Sequence, residues 1–266
     1  MHKFYNRLYD AAIIPFRCRV LMIAKRTYIR YSIALFVFFS ILPVPLQHAA
    51  ASTSTVGGAV VHKHRHTAEY RIGKNNEGRL RTRLHYDYGF TDFYAGRITF
   101  SMDRRKGGNL EAEAVGFDNR FHLLRSADHG FDLSARIALN LRDGNKKPDR
   151  LSFRLDERFR PGTWEIRLNQ IFTREIGQEQ RHGIAFEFRS QITHGIGTGG
   201  MRIGLESFNN FGKLNRNSNW SDQDHTAGVL IKNGFGDGYF FDLGTRTSLS
   251  RAAPDHSLRF SIGRNW

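Results

Sequence analysis

The chain has 266 residues, with 40 Lys and Arg against 25 Asp and Glu, 26 Gly, 22 Phe and a single Cys. A mean hydropathy of −0.48 with one long apolar run excludes a multi-span helical membrane protein, and the lone Cys18 excludes a disulfide scaffold or a cysteine-rich metal module. A soluble domain or a β-barrel remains.

The N-terminal segment reads as an address. Arg26, Tyr28 and Arg30 precede an eleven-residue apolar stretch from Ser32 to Leu42, followed by Pro43, Pro45 and the small-residue site Ala49-Ala50-Ala51. A basic flank, an apolar centre and an A-x-A site form a secretory signal peptide cleaved before Ser52. A permanent anchor is disfavoured because about eleven helical residues cross only about half of a bilayer. Residues 1–51 are therefore expected to be leader, with Met22 as an alternative start. Its removal takes away Cys18, seven Lys and Arg and one Asp, so the remaining 215 residues keep 33 basic against 24 acidic side chains. Export then brings no disulfide. With the positive excess reduced, and no zinc spacing, helix-turn-helix or RNA-recognition pattern in view, nucleic acid is not an expected partner. Residues 52–66 are expected to be a periplasmic tail. His62, His64 and His66 alternate in it, a spacing that suits Zn²⁺ or Cu²⁺. The plainer reading is a solvated tail, and no metal site is assigned.

From 67 to 266 the apolar period is two, the spacing that puts alternate side chains on one face of a strand. Twelve segments follow in order: Ala68 to Ile72, Leu80 to Tyr86, Tyr94 to Met102, Leu110 to Leu123, Phe131 to Leu141 and Leu151 to Leu155 make the first half. Trp164 to Leu168, Ile184 to Ile192, Met201 to Leu205, Ala227 to Ile231, Tyr239 to Leu243 and Leu258 to Trp266 make the second. In the fourth, the apolar parity slips near Val115 to Phe117, as the extra residue of a β-bulge would cause. Tight Gly- and Pro-rich turns alternate with more polar and mostly basic ones, of which Asn209 to Asp224 is the longest. That alternation predicts an up-and-down barrel with short turns on the periplasmic rim and longer loops outside. The segments, mostly 8 to 12 residues, match the 9–11 or so of a tilted transmembrane strand better than the 5–6 or so of a soluble one. The expected fold is all-β, a transmembrane antiparallel barrel of twelve strands, with ten or fourteen as alternatives. Tyr86, Tyr94, Trp164, Tyr239 and Trp266 fall near strand ends and suit interfacial girdles.

With the leader ending Ala49-Ala50-Ala51 and the terminal run from Leu258 to Trp266, the chain resembles the Gram-negative outer-membrane β-barrel proteins. The resemblance implies location in the outer membrane, contact with its lipid and lipopolysaccharide, and a monomer. It also implies that Phe260, Ile262 and Trp266 form the C-terminal signal read by the barrel-insertion machinery. Arg264 departs from the pattern by placing a charge in an outward slot.

Function should then come from the inward row. Reading the opposite parity gives sixteen basic residues, all but Lys232 arginine, against ten acidic ones. Arginine offers a planar fork to carboxylate or phosphate and stays charged. The mid-strand positions Arg81, Arg83, Arg97, Arg136, Arg154, Arg167, Arg189, Arg202 and Arg246 are the expected pore lining, with Glu165 and Glu187 as orienting partners. A water-filled lumen of this kind lowers the barrier for anions, so passive diffusion of small anionic solutes is the expected function. In size and lumen chemistry the chain is similar to the small twelve-stranded monomeric channels for acidic oligosaccharides.

The alternatives are a sealed barrel whose carboxylates all pair with arginine for packing or assembly, and a lipid-modifying enzyme. No enzyme is expected. A barrel phospholipase needs a His and a Ser two residues apart on one strand face, and none of the twelve His is followed by x-Ser. No catalytic residue and no cofactor are assigned.

Overall fold

The structure, a computed structural model, describes residues 52–126, 130–142, 147–216, 218–253 and 256–266. The expected leader lies outside the described residues. The first six strands are β1 (His66–Asn75), β2 (Leu80–Gly89), β3 (Tyr94–Arg104), β4 (Glu111–Ser126), β5 (Phe131–Arg142) and β6 (Asp149–Phe159). The other six are β7 (Trp164–Ile176), β8 (Ile184–Ile196), β9 (Met201–Lys213), β10 (Asp224–Phe235), β11 (Tyr239–Ser248) and β12 (His256–Asn265). Each strand pairs antiparallel with the next and β12 pairs back onto β1, from Thr67 opposite Asn265 to Asn75 opposite Ser257, so the barrel is closed. The expected all-β barrel of twelve strands is the fold the chain adopts.

Burial in this barrel is inverted. In β5 the outward Ile137 is 46% exposed, while the inward Asp132 is 1% exposed and Arg136 4%. The same holds around the wall: Leu84, Phe100, Leu205, Val229 and Leu258 face out and exposed, while Asp156, Glu206 and Arg259 are buried inside. Such a row of apolar side chains is stable against hydrocarbon and not against water. A strand of ten residues, tilted about 40°, rises about 25 Å, the height of an outer-membrane apolar band. Both termini lie at one rim. Connections there have three or four residues, against four to ten at the other rim.

The parity slip arises from two bulges that bracket the stretch where it shows. Ser101 and Met102 face Ala114 and Ala112, which leaves Glu113 extra; Ser134 and Leu133 face His122 and Leu124, which leaves Leu123 extra. Between them Val115, Phe117 and Phe121 keep one outward parity and Arg120 turns inward. The expected long loop is shorter, because β9 continues to Lys213. Residues 214–223 are tied to the β11–β12 turn: Trp220 Nε1 donates to the Leu249 carbonyl at 3.4 Å, and the Ala252 amide donates to the Ser221 carbonyl at 3.1 Å.

At the rim holding the termini, outward aromatics gather as the sequence suggests. Trp266 stacks on His66 at 5.5 Å and Tyr94 on Phe121 at 5.3 Å. Phe260, Ile262 and Trp266 share the outward face of the last strand with Arg264, whose guanidinium lies 4.9 Å from the Tyr239 ring and donates to the Asp237 carbonyl at 3.2 Å. Val229→Arg, at the middle of the lipid-facing wall, is expected to cost about 2–4 kcal/mol, and Arg264→Ala at the rim less than about 1 kcal/mol. Urea titration of folding into lipid vesicles measures both.

Candidate functional site

The barrel encloses a polar cavity of about 880 Å³. Arg81, Arg83, Arg97, Arg136, Arg154, Glu165, Arg167, Glu187, Arg189 and Arg202 line it. Arg246 is also inside but does not line that space. It is buried against Glu206, to which its Nε donates at 2.8 Å, with its guanidinium 3.4 Å from the centre of the Phe208 ring. The sequence reading did not single out Phe208, Arg71, Glu69, Arg120 or Asn169 for the interior.

Most of these arginines are paired. Arg97 bonds Asp87 at 2.6 Å, Arg81 bonds Glu113 at 3.1 Å, and Arg136 and Arg154 share Asp156, each at 3.2 Å. Arg167 and Lys232 share Glu165 at 2.8 and 3.1 Å, and Arg189 bonds Glu187 at 2.7 Å. Glu206 holds Arg246 and Arg259 together, and Arg259 reaches Asp242 at 3.0 Å. Gly244 makes room for that group, since a Cβ there would lie 2.9 Å from Arg259 Nη2. A charge taken out of water is tolerated only with such partners.

Of the lining arginines that the sequence singles out, Arg83 and Arg202 have no acidic partner among the described residues. Arg83 stands opposite Arg71 and Ser101 and makes no ion pair, and its Nε is buried without a hydrogen bond. Arg202 donates only to neutral oxygens, Thr193 Oγ1 at 3.0 Å and the Thr163 carbonyl at 2.8 Å. Neither guanidinium forms an ion pair with a carboxylate among the described residues.

The largest departure from expectation is the segment before the barrel. Residues 52–61 do not form a solvated tail: they run inside the barrel. Gly73 and Gly89 mark the two ends of the path, because a Cβ at Gly73 would lie 2.6 Å from the Ser52 carbonyl oxygen, and one at Gly89 would overlap the His62 carbonyl. Gly73 pairs with Arg81, and the eight residues from Arg81 to Gly89 cover about 26 Å of strand. Ten residues bridging that distance are nearly extended.

Side chains of the wall hold the segment by its backbone. Arg246 donates to the Ser54 carbonyl, and Arg189 to Thr55 at 3.3 Å. Asn169 accepts from the Gly57 amide at 2.7 Å and donates to the Gly57 carbonyl at 3.2 Å. Lower down, Arg120 donates to Val60 at 3.4 Å and Arg125 to Val61 at 2.9 Å. Thr53, Val56, Ala59 and Val61 are buried.

The His-rich stretch, by contrast, is at the rim. A turn closed by the Arg65 amide and the His62 carbonyl at 3.3 Å, with His64 at a φ of 59°, folds the chain back into β1. His64 and His66 meet the hydroxyls of Tyr88 and Tyr86 at 3.3 and 2.7 Å, and among the described residues no group of three side chains is gathered as a metal site. Partial desolvation and the nearby Arg65, Arg125 and Arg158 lower the His62 pKa from its usual value. At the opposite rim His225 is held between Asn209 and Gln223, at 3.0 and 2.9 Å, while the Ser250 hydroxyl accepts from the His225 backbone amide instead.

No protein-family model and no curated protein matches the sequence. Solved structures do match the fold. An outer-membrane channel from Pseudomonas putida F1 superposes with a TM-score of 0.61 over 81% of this chain and all of its own, at 11% identity. The KdgM porin, solved in complex with disordered oligogalacturonate, superposes with a TM-score of 0.51 over 75% of this chain and 98% of its own, at 12% identity. By fold the chain is an outer-membrane β-barrel, and its apolar exterior and charged interior suit that membrane.

Replacing Glu206 with Gln removes the shared partner of two buried guanidinia and is expected to destabilise the barrel by about 3–5 kcal/mol. Loss of heat-modifiable gel mobility at a lower temperature than in the unaltered protein is the readout.

Proposed function

We propose that this chain is a porin-like channel for passive diffusion of small, preferentially anionic solutes. The observation that carries the reading is the polar, arginine-lined cavity along the barrel, in which Arg83 and Arg202 present positive charge with no carboxylate beside it. Fixed cations in a narrow wet passage lower the energy of an anion and raise that of a cation. Similarity in fold to proteins described as an outer-membrane channel and as a porin in complex with oligogalacturonate supports the same reading. One chain closes the whole barrel, so no second copy is needed to enclose the path. Phe260, Ile262 and Trp266, outward on the closing strand, remain the proposed signal for the insertion machinery.

The density of paired charge supports a second reading, a barrel filled for stability alone. Protein beginning at Ser52, refolded into planar bilayers under a salt gradient, separates the two. The channel reading expects steady conductance and a reversal potential of anion-selective sign. Arg83→Ala with Arg202→Ala is expected to lower the anion permeability by up to about fivefold for each charge, the equivalent of about 1 kcal/mol at 4 Å in a water-like medium, and with it the anion-to-cation permeability ratio. Neither change breaks an ion pair, so folding is expected to persist. Absence of conductance from folded, inserted protein both with and without residues 52–61 would falsify the channel reading.

A further inference from the structure

We propose that residues 54–61 are a tethered plug, an internal gate that narrows the lumen at rest and leaves it to admit larger anions. This rests on the channel reading above and adds the moving part. Three observations carry it. First, the segment crosses most of the lumen and touches opposite walls, with Arg120 on β4, Asn169 on β7 and Arg246 on β11 among its partners. It therefore narrows the path from within instead of lining one side of it.

Second, the wall is shaped to receive it. The inward positions at both ends are Gly73 and Gly89, where any Cβ would strike the segment's backbone, and a Cβ at Gly57 would overlap the guanidinium of Arg154. Small residues occur on both partners at the points of closest approach. Third, the plug is held without charge pairing. Residues 52–61 read STSTVGGAVV and contain no ionisable side chain, so every arginine that grips them donates to a neutral carbonyl. Such bonds are individually worth less than the ion pairs that hold the wall, and a carboxylate or phosphate offers the same guanidinia a stronger acceptor. An entering polyvalent anion thus competes directly with the carbonyls of Ser54, Thr55, Val60 and Val61 for their arginine donors. The Gly57-Gly58 pair in the middle and the rim turn below give the segment the freedom to withdraw.

The test compares three proteins in planar bilayers: the chain from Ser52, the same chain without residues 52–61, and the variant Asn169→Ala. The Asn169 side chain makes both bonds that hold the Gly57 backbone and carries no charge, so its truncation loosens the plug and leaves the charged wall in place. Single-channel conductance in potassium chloride is measured, then permeability to citrate relative to chloride. The plug proposal expects the deletion to raise conductance severalfold and to admit citrate, and expects Asn169→Ala to conduct more than the chain from Ser52 and less than the deletion. If the intact chain conducts and neither deletion nor Asn169→Ala alters conductance or citrate passage, the plug is overturned while the channel stands. If none of the three conducts although all are folded and inserted, the channel reading fails and the gate with it.

Discussion

An interior made of charge exists here because nearly every buried guanidinium meets a carboxylate. In a soluble domain the inside is apolar and the outside carries the ions. In this barrel lipid takes the apolar face, so the ions are left to fill the middle, and each must find a partner or remain in water. The pairs run across strands and across the lumen: Arg246 and Arg259 meet on Glu206, and Arg167 and Lys232 on Glu165. They draw the strands together from within, where no hydrophobic core is available to do so. Of the eight apolar residues buried among those described, three belong to the segment inside the lumen, Val56, Ala59 and Val61.

That distribution separates two kinds of arginine. One kind is structural, its charge cancelled by a neighbour 2.6–3.2 Å away, as at Arg97 and Arg136. The other kind has no ion pair with a carboxylate among the described residues, as at Arg83 and Arg202, and in the proposed channel it would set the electrical character of the path. A third group, Arg189 and Arg246, does both, holding a carboxylate with part of the fork and a backbone carbonyl with the rest.

The fold was legible because a transmembrane barrel writes its two faces into alternate residues, and all twelve strands follow from that period with the turns alternating as the rims do. The interior arginines followed from the same parity. What escaped has specific causes. Arg120 was hidden because the bulges at Glu113 and Leu123 shift the count on either side of it. The partner of Lys232 could not be read because Glu165 is 67 residues away, on the third strand round the wall from it, and their meeting depends on the stagger of the sheet. The lumen segment left no pattern at all. It is recognised through its backbone, so its sequence needs only to be small, uncharged and flexible, which is also how a tail in solvent reads.

The turn at His62 to Arg65 joins that segment to the barrel with very little chain. A peptide attached so closely is never dilute: its effective concentration at its own binding groove is of millimolar order. Any solute that contends for the same arginines must match that standing concentration through its own abundance or through affinity. The lumen would then respond little to traces of an anion and strongly once the supply outside becomes rich, giving a passive barrel a threshold that depends on the length of its tether.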